Sequence, residues 1–106
     1  MPPEITVAEL AEKLKSASPP LLIDVRESNE FAYCRIPGAE LRPLGEIQTW
    51  ARDLDPEAEI VLQCHTGMRS AQAANYLARL GFKHVYNLEG GIDAWAEEID
   101  PDMPRY

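Results

Sequence analysis

The sequence predicts an α/β domain built on a mainly parallel sheet, and three observations carry that expectation. Two short apolar runs, Leu21-Leu22-Ile23-Asp24-Val25 and Glu59-Ile60-Val61-Leu62-Gln63, have the length and composition of strands buried on both faces. Segments with helical spacing alternate with them, the order that a parallel sheet with crossover helices requires. The 106 residues are 45% apolar and contain no linker, internal repeat or low-complexity stretch. One domain over residues 1–106, large enough for a single core, is therefore expected.

Thr6 opens the first helix. Glu9, three residues on, completes a capping box, and Ile5 and Leu10 stand where a hydrophobic staple would close over it. This helix is expected to reach about Lys15 and to stop at Ser16–Pro20, because proline cannot continue it. Leu21–Val25 follows as a strand. Ser28 is expected to cap a short helical turn through Phe31 and Tyr33, which Ile36-Pro37-Gly38-Ala39 breaks. A short strand near Glu40–Arg42 precedes a helix over Glu46–Leu54, where Ile47, Trp50, Ala51 and Leu54 recur at helical spacing before Asp55-Pro56. Glu59–Gln63 is the clearest strand. Ser70–Leu80 then reads as a helix with Ala73, Ala74, Leu77 and Leu80 on one face, and Gly81 as the left-handed residue past its end. His84-Val85-Tyr86 gives a last strand, Gly90-Gly91 a turn, Ile92–Ile99 a final helix and Asp100–Tyr106 an extended tail.

Charge and composition exclude several classes of function. Ten basic against 18 acidic side chains give a net charge of −8, with no basic footprint for nucleic acid or an anionic membrane. No apolar run approaches the roughly 20 residues of a membrane span. Met1-Pro2-Pro3-Glu4 lacks the basic start and apolar middle of a signal peptide, so a cytoplasmic setting with reduced thiols is expected. Two cysteines exclude a disulfide scaffold and a four-cysteine zinc site, and no metal is expected.

The chemistry concentrates in Cys64-His65-Thr66-Gly67-Met68-Arg69-Ser70, between the clearest strand and the clearest helix. Ligands of open α/β sheets bind beyond the carboxyl ends of strands, and a helix N-terminus offers N–H groups and about half a positive charge to an anion. A thiol at the bottom of such a nest has its pKa lowered, so the expected resting form of Cys64 is a thiolate held by the amides of His65–Ser70. Gly67 permits the curl, Arg69 brings a guanidinium to the rim, and Ser70 serves as helix cap or as hydroxyl donor to the sulfur. A lone cysteine at a strand end is ordinarily a small buried hydrophobe. It is the conjunction of Cys, Gly, Arg and Ser at this junction that favours a functional reading. His65, Thr66 and Met68 suit either a binding loop or plain loop-tip positions.

At these residues the chain resembles the single-domain rhodanese family. Leu22-Ile23-Asp24-Val25-Arg26 with Glu30-Phe31, Ile36-Pro37-Gly38-Ala39, the Cys64–Ser70 loop and Gly90-Gly91-Ile92-Asp93-Ala94-Trp95 match four of its sequence blocks in order, over nearly the whole chain. The resemblance implies a central sheet of about five strands flanked by helices on both faces. It also implies a ping-pong sulfur transfer in which Cys64 takes sulfur from thiosulfate or another persulfide donor. A thiol, cyanide or a protein then accepts it, and neither metal nor organic cofactor takes part. Asp24, Arg26 and Glu30 would form an ion-pair network bracing the core beside the loop, and Trp50 and Trp95 would be packing residues. Four residues between Cys64 and Arg69 match the sulfur-handling members, whereas related phosphatases and arsenate reductases use five. A non-catalytic interaction module and a phosphatase or arsenate reductase relative are the alternative functions.

Two departures stand out. Cys34-Arg35 replaces the Gly-His that commonly precedes the Ile-Pro-Gly-Ala turn, and Cys34 is read as a small residue near the core. Met68 is apolar where many thiosulfate-using members are basic or polar, which directs attention to persulfide or protein donors. The ending Asp102-Met103-Pro104-Arg105-Tyr106 resembles tails of rhodanese domains fused to activating enzymes of sulfur-carrier pathways, pointing to a protein acceptor.

Overall fold

The computed structural model describes residues 2–106. Its strands are β1 (Glu4–Ile5), β2 (Leu21–Asp24), β3 (Glu40–Leu41), β4 (Glu59–Gln63) and β5 (His84–Leu88). Its α-helices are α1 (Val7–Leu14), α2 (Ser28–Tyr33), α3 (Ile47–Trp50), α4 (Met68–Arg79) and α5 (Gly91–Glu98). All strand pairs are parallel, in the order β1-β5-β4-β2-β3, so β4 takes the centre. Leu22 sits opposite Val61 on one side of β4, and Val85 opposite Ile60 on the other.

Alternation of side chains along β4 divides the core in two. Ile60, Leu62 and Cys64 pack with Ala73, Ala74 and Leu77 of α4 and with Ile47 and Trp50 of α3. On the opposite face, Val61, Leu22 and Leu88 meet Val7 and Leu10 of α1 and Ile92 and Trp95 of α5. Each fully buried leucine contributes about 1.5–3 kcal/mol relative to exposure. Both tryptophans are buried, as packing residues should be.

Local signals set most boundaries. Thr6 and Glu9 form the expected capping box, with Thr6 Oγ1 accepting the Glu9 N–H at 3.1 Å and Glu9 accepting the Thr6 N–H at 2.9 Å. Gly81, at φ +97°, ends α4: its N–H bonds Ala78 O and the Phe82 N–H bonds Leu77 O, both at 3.1 Å, a Schellman motif.

Where the structure differs from expectation, a neighbour decides. β1 was not expected; it is two residues long and exists through β5, the Asn87 N–H reaching Pro3 O at 2.9 Å and the Glu89 N–H reaching Ile5 O at 2.8 Å. The same pairing carries β5 to Leu88, beyond Tyr86. Glu27, not Ser28, occupies the cap of α2, because Ser28 is already helical and Glu30 accepts the Glu27 N–H at 2.9 Å. The expected helix over Glu46–Leu54 is broken, with α3 a single turn between the tight three-residue-per-turn segments Leu44–Glu46 and Ala51–Asp53. Its path is set by Trp50, whose Nε1–H bonds Pro43 O at 2.8 Å. Finally, α4 begins at Met68, two residues before Ser70, because Gly67 at φ +111° turns the chain straight into it.

Candidate active site

Cys64 follows the last residue of β4, and Gly67 caps α4, so the turn between strand and helix is short. The Cys64 side chain is 1% exposed. Its Sγ accepts the Gly67 N–H at 3.1 Å and lies 3.3 Å from the Ser70 hydroxyl. The remaining amides of His65–Ser70, expected to converge on the sulfur, make no hydrogen bond to it. With the helix starting at Met68, the N–H groups beyond Gly67 lie along the helix axis instead of curling round the thiol. Ser70 thus acts beside the sulfur and not as the cap.

Asn87 of β5, which sequence reasoning missed, holds both donors in place. Its Oδ1 lies 2.5 Å from the Ser70 hydroxyl and its Nδ2–H donates to Gly67 O at 3.1 Å. The one Ser70 proton serves either Asn87 or Cys64 Sγ at a time. A polar residue directly before the apolar Leu88 was the available signal.

The other support comes from α5. Ile92 and Asp93 N–H groups bond the carbonyls of Cys64 and His65 at 2.9 and 3.1 Å. A Cβ on Gly91, at φ +59°, would lie 2.5 Å from Cys64 O and 2.6 Å from His65 O. Glycine is needed there because the active loop presses directly on the helix start.

The charged residues separate into two pairs. Arg26, wholly buried, donates from Nε and Nη2 to Asp24 at 2.9 and 2.6 Å and from Nη2 to Cys34 O at 2.7 Å. Glu30 pairs instead with the loop arginine, Arg69 Nη1 to Oε1 at 2.8 Å and Nη2 to Oε2 at 2.9 Å. Arg69, against the opposing effect of burial and helped by the Glu27 N–H and the Tyr106 hydroxyl, holds the Glu30 carboxyl down at about 2. The bracing trio expected from the resemblance is therefore an Asp24–Arg26 pair and a Glu30–Arg69 pair.

Tyr106 joins them. Its hydroxyl accepts from Arg26 Nη1 at 2.9 Å and donates to Glu30 Oε2 at 2.8 Å, while its ring stacks on His65 at 4.0 Å. The tail is thus not extended. It turns at 101–103, packs Met103 against the α1/α5 core cluster, and pairs Arg105 with Asp93 at 2.9 Å, which brings Tyr106 over the loop. Thr66 and Met68 point outward, Met68 being 77% exposed. Arg35 stands over the Phe31 ring at 4.8 Å and supplies no charge to Cys64. Among the described residues, no cluster of three His, Cys, Asp or Glu side chains could hold a metal ion.

Comparison with known proteins places this geometry. The rhodanese-like domain family matches residues 6–98. The chain is 42% identical over 110 residues to rhodanese-like/PpiC domain-containing protein 12, chloroplastic, of Arabidopsis thaliana, covering 97% of this chain and 37% of that protein. It is 37% identical over 93 residues to a sulfurtransferase of Allochromatium vinosum, covering 88% of this chain and 87% of that one. The crystal structure of a rhodanese-like domain protein from Staphylococcus aureus superposes with a TM-score of 0.84 at 32% identity, covering 98% of both chains. The chain spans little more than a third of the Arabidopsis relative, yet almost all of the Staphylococcus fold. A match running from Thr6 to Glu98 takes in every strand but β1 and all five helices, and the chain belongs to the rhodanese-like domain family.

Proposed function

We propose that Cys64 takes up a sulfane sulfur, holds it as a persulfide and passes it to a second nucleophile. The observation that carries this reading is the surroundings of Cys64 Sγ at the N-terminal end of α4: the Gly67 N–H donates to it at 3.1 Å, and the Ser70 hydroxyl, shared with Asn87, lies 3.3 Å away. Both donors and the helix end favour a sulfur bearing negative charge.

In the first half-reaction the Cys64 thiolate attacks the outer sulfur of the donor. A new S–S bond forms on Cys64 while the donor's bond to that sulfur breaks, its electron pair leaving with the remainder. Thiosulfate releases sulfite, and a hydropersulfide releases a thiolate. In the second half-reaction an acceptor attacks the outer sulfur and the S–S electron pair returns to Cys64. Cyanide becomes thiocyanate, a thiol becomes a persulfide, and a protein acceptor takes the sulfur in the same way. The Gly67 N–H is fixed at the sulfur, and the Ser70 proton turns from Asn87 to it when negative charge rests there. The chemistry calls for no metal or organic cofactor. Two unpaired thiols, Cys34 and Cys64, suit a reducing compartment such as the cytoplasm.

Intact-mass measurement after incubation with a sulfur donor tests the reading. The expected result is a chain heavier by one sulfur atom, reverting on addition of cyanide with release of thiocyanate. No adduct with any donor, or an undiminished turnover in Cys64→Ser, would overturn it.

A further inference from the structure

Among the described residues, the arginines around the Cys64 loop are all engaged. Both outer nitrogens of Arg69 bond Glu30, at 2.8 and 2.9 Å, and that carboxylate is fixed in turn by the Tyr106 hydroxyl at 2.8 Å and the Glu27 N–H at 2.9 Å. Arg26 is wholly buried against Asp24, and Arg35 lies over Phe31. One face of the His65 ring is covered by Tyr106. Met68, exposed beside the loop, is apolar. A dianion approaching Cys64 therefore meets no free guanidinium, and a bidentate, charge-assisted pair must open before Arg69 turns to it. Beside that pair lies a cleft of about 320 Å³ lined by Asn29, Glu30, Tyr33 and Tyr106, the two tyrosine rings edge to face at 6.0 Å. It offers two aromatic rings beside a carboxylate whose charge Arg69 already compensates, a surface that suits an organic group and supplies no free cation to an anion.

Building on the sulfurtransferase reading, we propose that Glu30 is a specificity-determining residue. With Tyr106 it keeps Arg69 in an ion pair, so that Cys64 takes sulfur from an organic hydropersulfide, its body lying in the Asn29–Tyr33–Tyr106 cleft, in preference to thiosulfate. In that transfer the Cys64 thiolate attacks the outer sulfur of R–S–SH, giving Cys64–S–SH and R–S⁻. One negative charge simply passes from Cys64 to the leaving thiolate. Thiosulfate instead brings two further negative charges to the mouth, which depart on sulfite.

The test compares kcat/KM for sulfur loading by sodium thiosulfate and by the hydropersulfide of 2-mercaptoethanol, whose only ionisable group is the sulfur itself. Glu30→Gln keeps an acceptor for the Glu27 N–H and removes the charge that holds Arg69. The thiosulfate-to-hydropersulfide ratio is expected to rise about tenfold or more. Tyr106→Phe, which loosens Glu30 without neutralising it, is expected to move the ratio the same way by about two- to fivefold. Tyr33→Ala, at an exposed ring, is expected to raise KM for the hydropersulfide severalfold. A ratio that falls or stays within about twofold in both Glu30→Gln and Tyr106→Phe overturns the inference while leaving the sulfurtransferase reading standing. Failure of both donors to load wild-type Cys64 overturns the two together. Were Glu30→Gln not to fold, Tyr106→Phe would decide the ratio alone.

Discussion

Cys34 and Cys64 are the same side chain at nearly the same depth, 8% and 1% exposed, and their surroundings differ in kind. Around Cys64 an N–H and a hydroxyl aim at the sulfur, and the backbone of α5 grips the loop from below. Around Cys34 the structure uses the backbone: its carbonyl accepts from Arg26 Nη2 at 2.7 Å, whereas its Sγ meets only Arg26 Nη1 at 3.9 Å, a nitrogen already bonded to Tyr106. On the function proposed for Cys64, burial alone does not separate a structural thiol from a chemical one. Donors directed at the sulfur do.

The largest expected effect separates the two cysteines outright. Cys64→Ser should lose sulfur loading by at least about a thousandfold, and Cys34→Ser should retain it within about twofold, measured with the same donor on folded protein. Loss in Cys34→Ser would break the comparison. Next comes the buried pair on the Cys34 side. Asp24→Ala leaves the buried Arg26 guanidinium with hydrogen bonds to Cys34 O and Tyr106 but without its counter-charge, and thermal or denaturant unfolding should register a loss of about 3–5 kcal/mol. Gly91→Ala strikes the Cys64 side. Two backbone oxygens would have to move from within 2.6 Å of the new Cβ, so stability should fall by about 2–4 kcal/mol and loading by about tenfold or more. Gly38→Ala is its control. That glycine also has positive φ, but open space around it, so about 1 kcal/mol of stability and no loading should be lost.

A final test is the pH dependence of the Glu30–Arg69 pair. Its carboxyl sits at about 2 in the fold against an ordinary value of 4.5, so the pair's contribution is complete above pH 4.5. It declines as pH falls through that window and is gone below about 2. The stability difference between wild type and Glu30→Gln should follow that course in acid unfolding, and a difference independent of pH would mean that the charge is not what stabilises.

What was legible in the sequence was local. The Thr6–Glu9 box, β4, the Ala73, Ala74 and Leu77 face of α4 and the Gly81 end are written in residues within a few positions of one another and form as read, whereas Leu80, expected on that face, caps the helix and is exposed. The Cys64–Ser70 loop was legible as a place, because a strand end and a helix start bracket it. Its partners were not. Glu30 and Arg69 lie 39 positions apart, Ser70 and Asn87 17, and Glu30 and Tyr106 76. No periodicity encodes such pairs; the sheet order β1-β5-β4-β2-β3 creates them by bringing the strand ends together. For the same reason β1 and the folded tail escaped notice, since each is defined by the surface it lies against.

If its surroundings make Cys64 the sulfur carrier, the transferred sulfur must reside there and not on Cys34. Peptide-resolved mass spectrometry of the wild-type chain, loaded with a hydropersulfide and alkylated before digestion, tests this most directly. The predicted result is one added sulfur on the peptide containing Cys64, removed by cyanide, with the Cys34 peptide unchanged. Sulfur on Cys34 with Cys64 bare, or on neither, would contradict it.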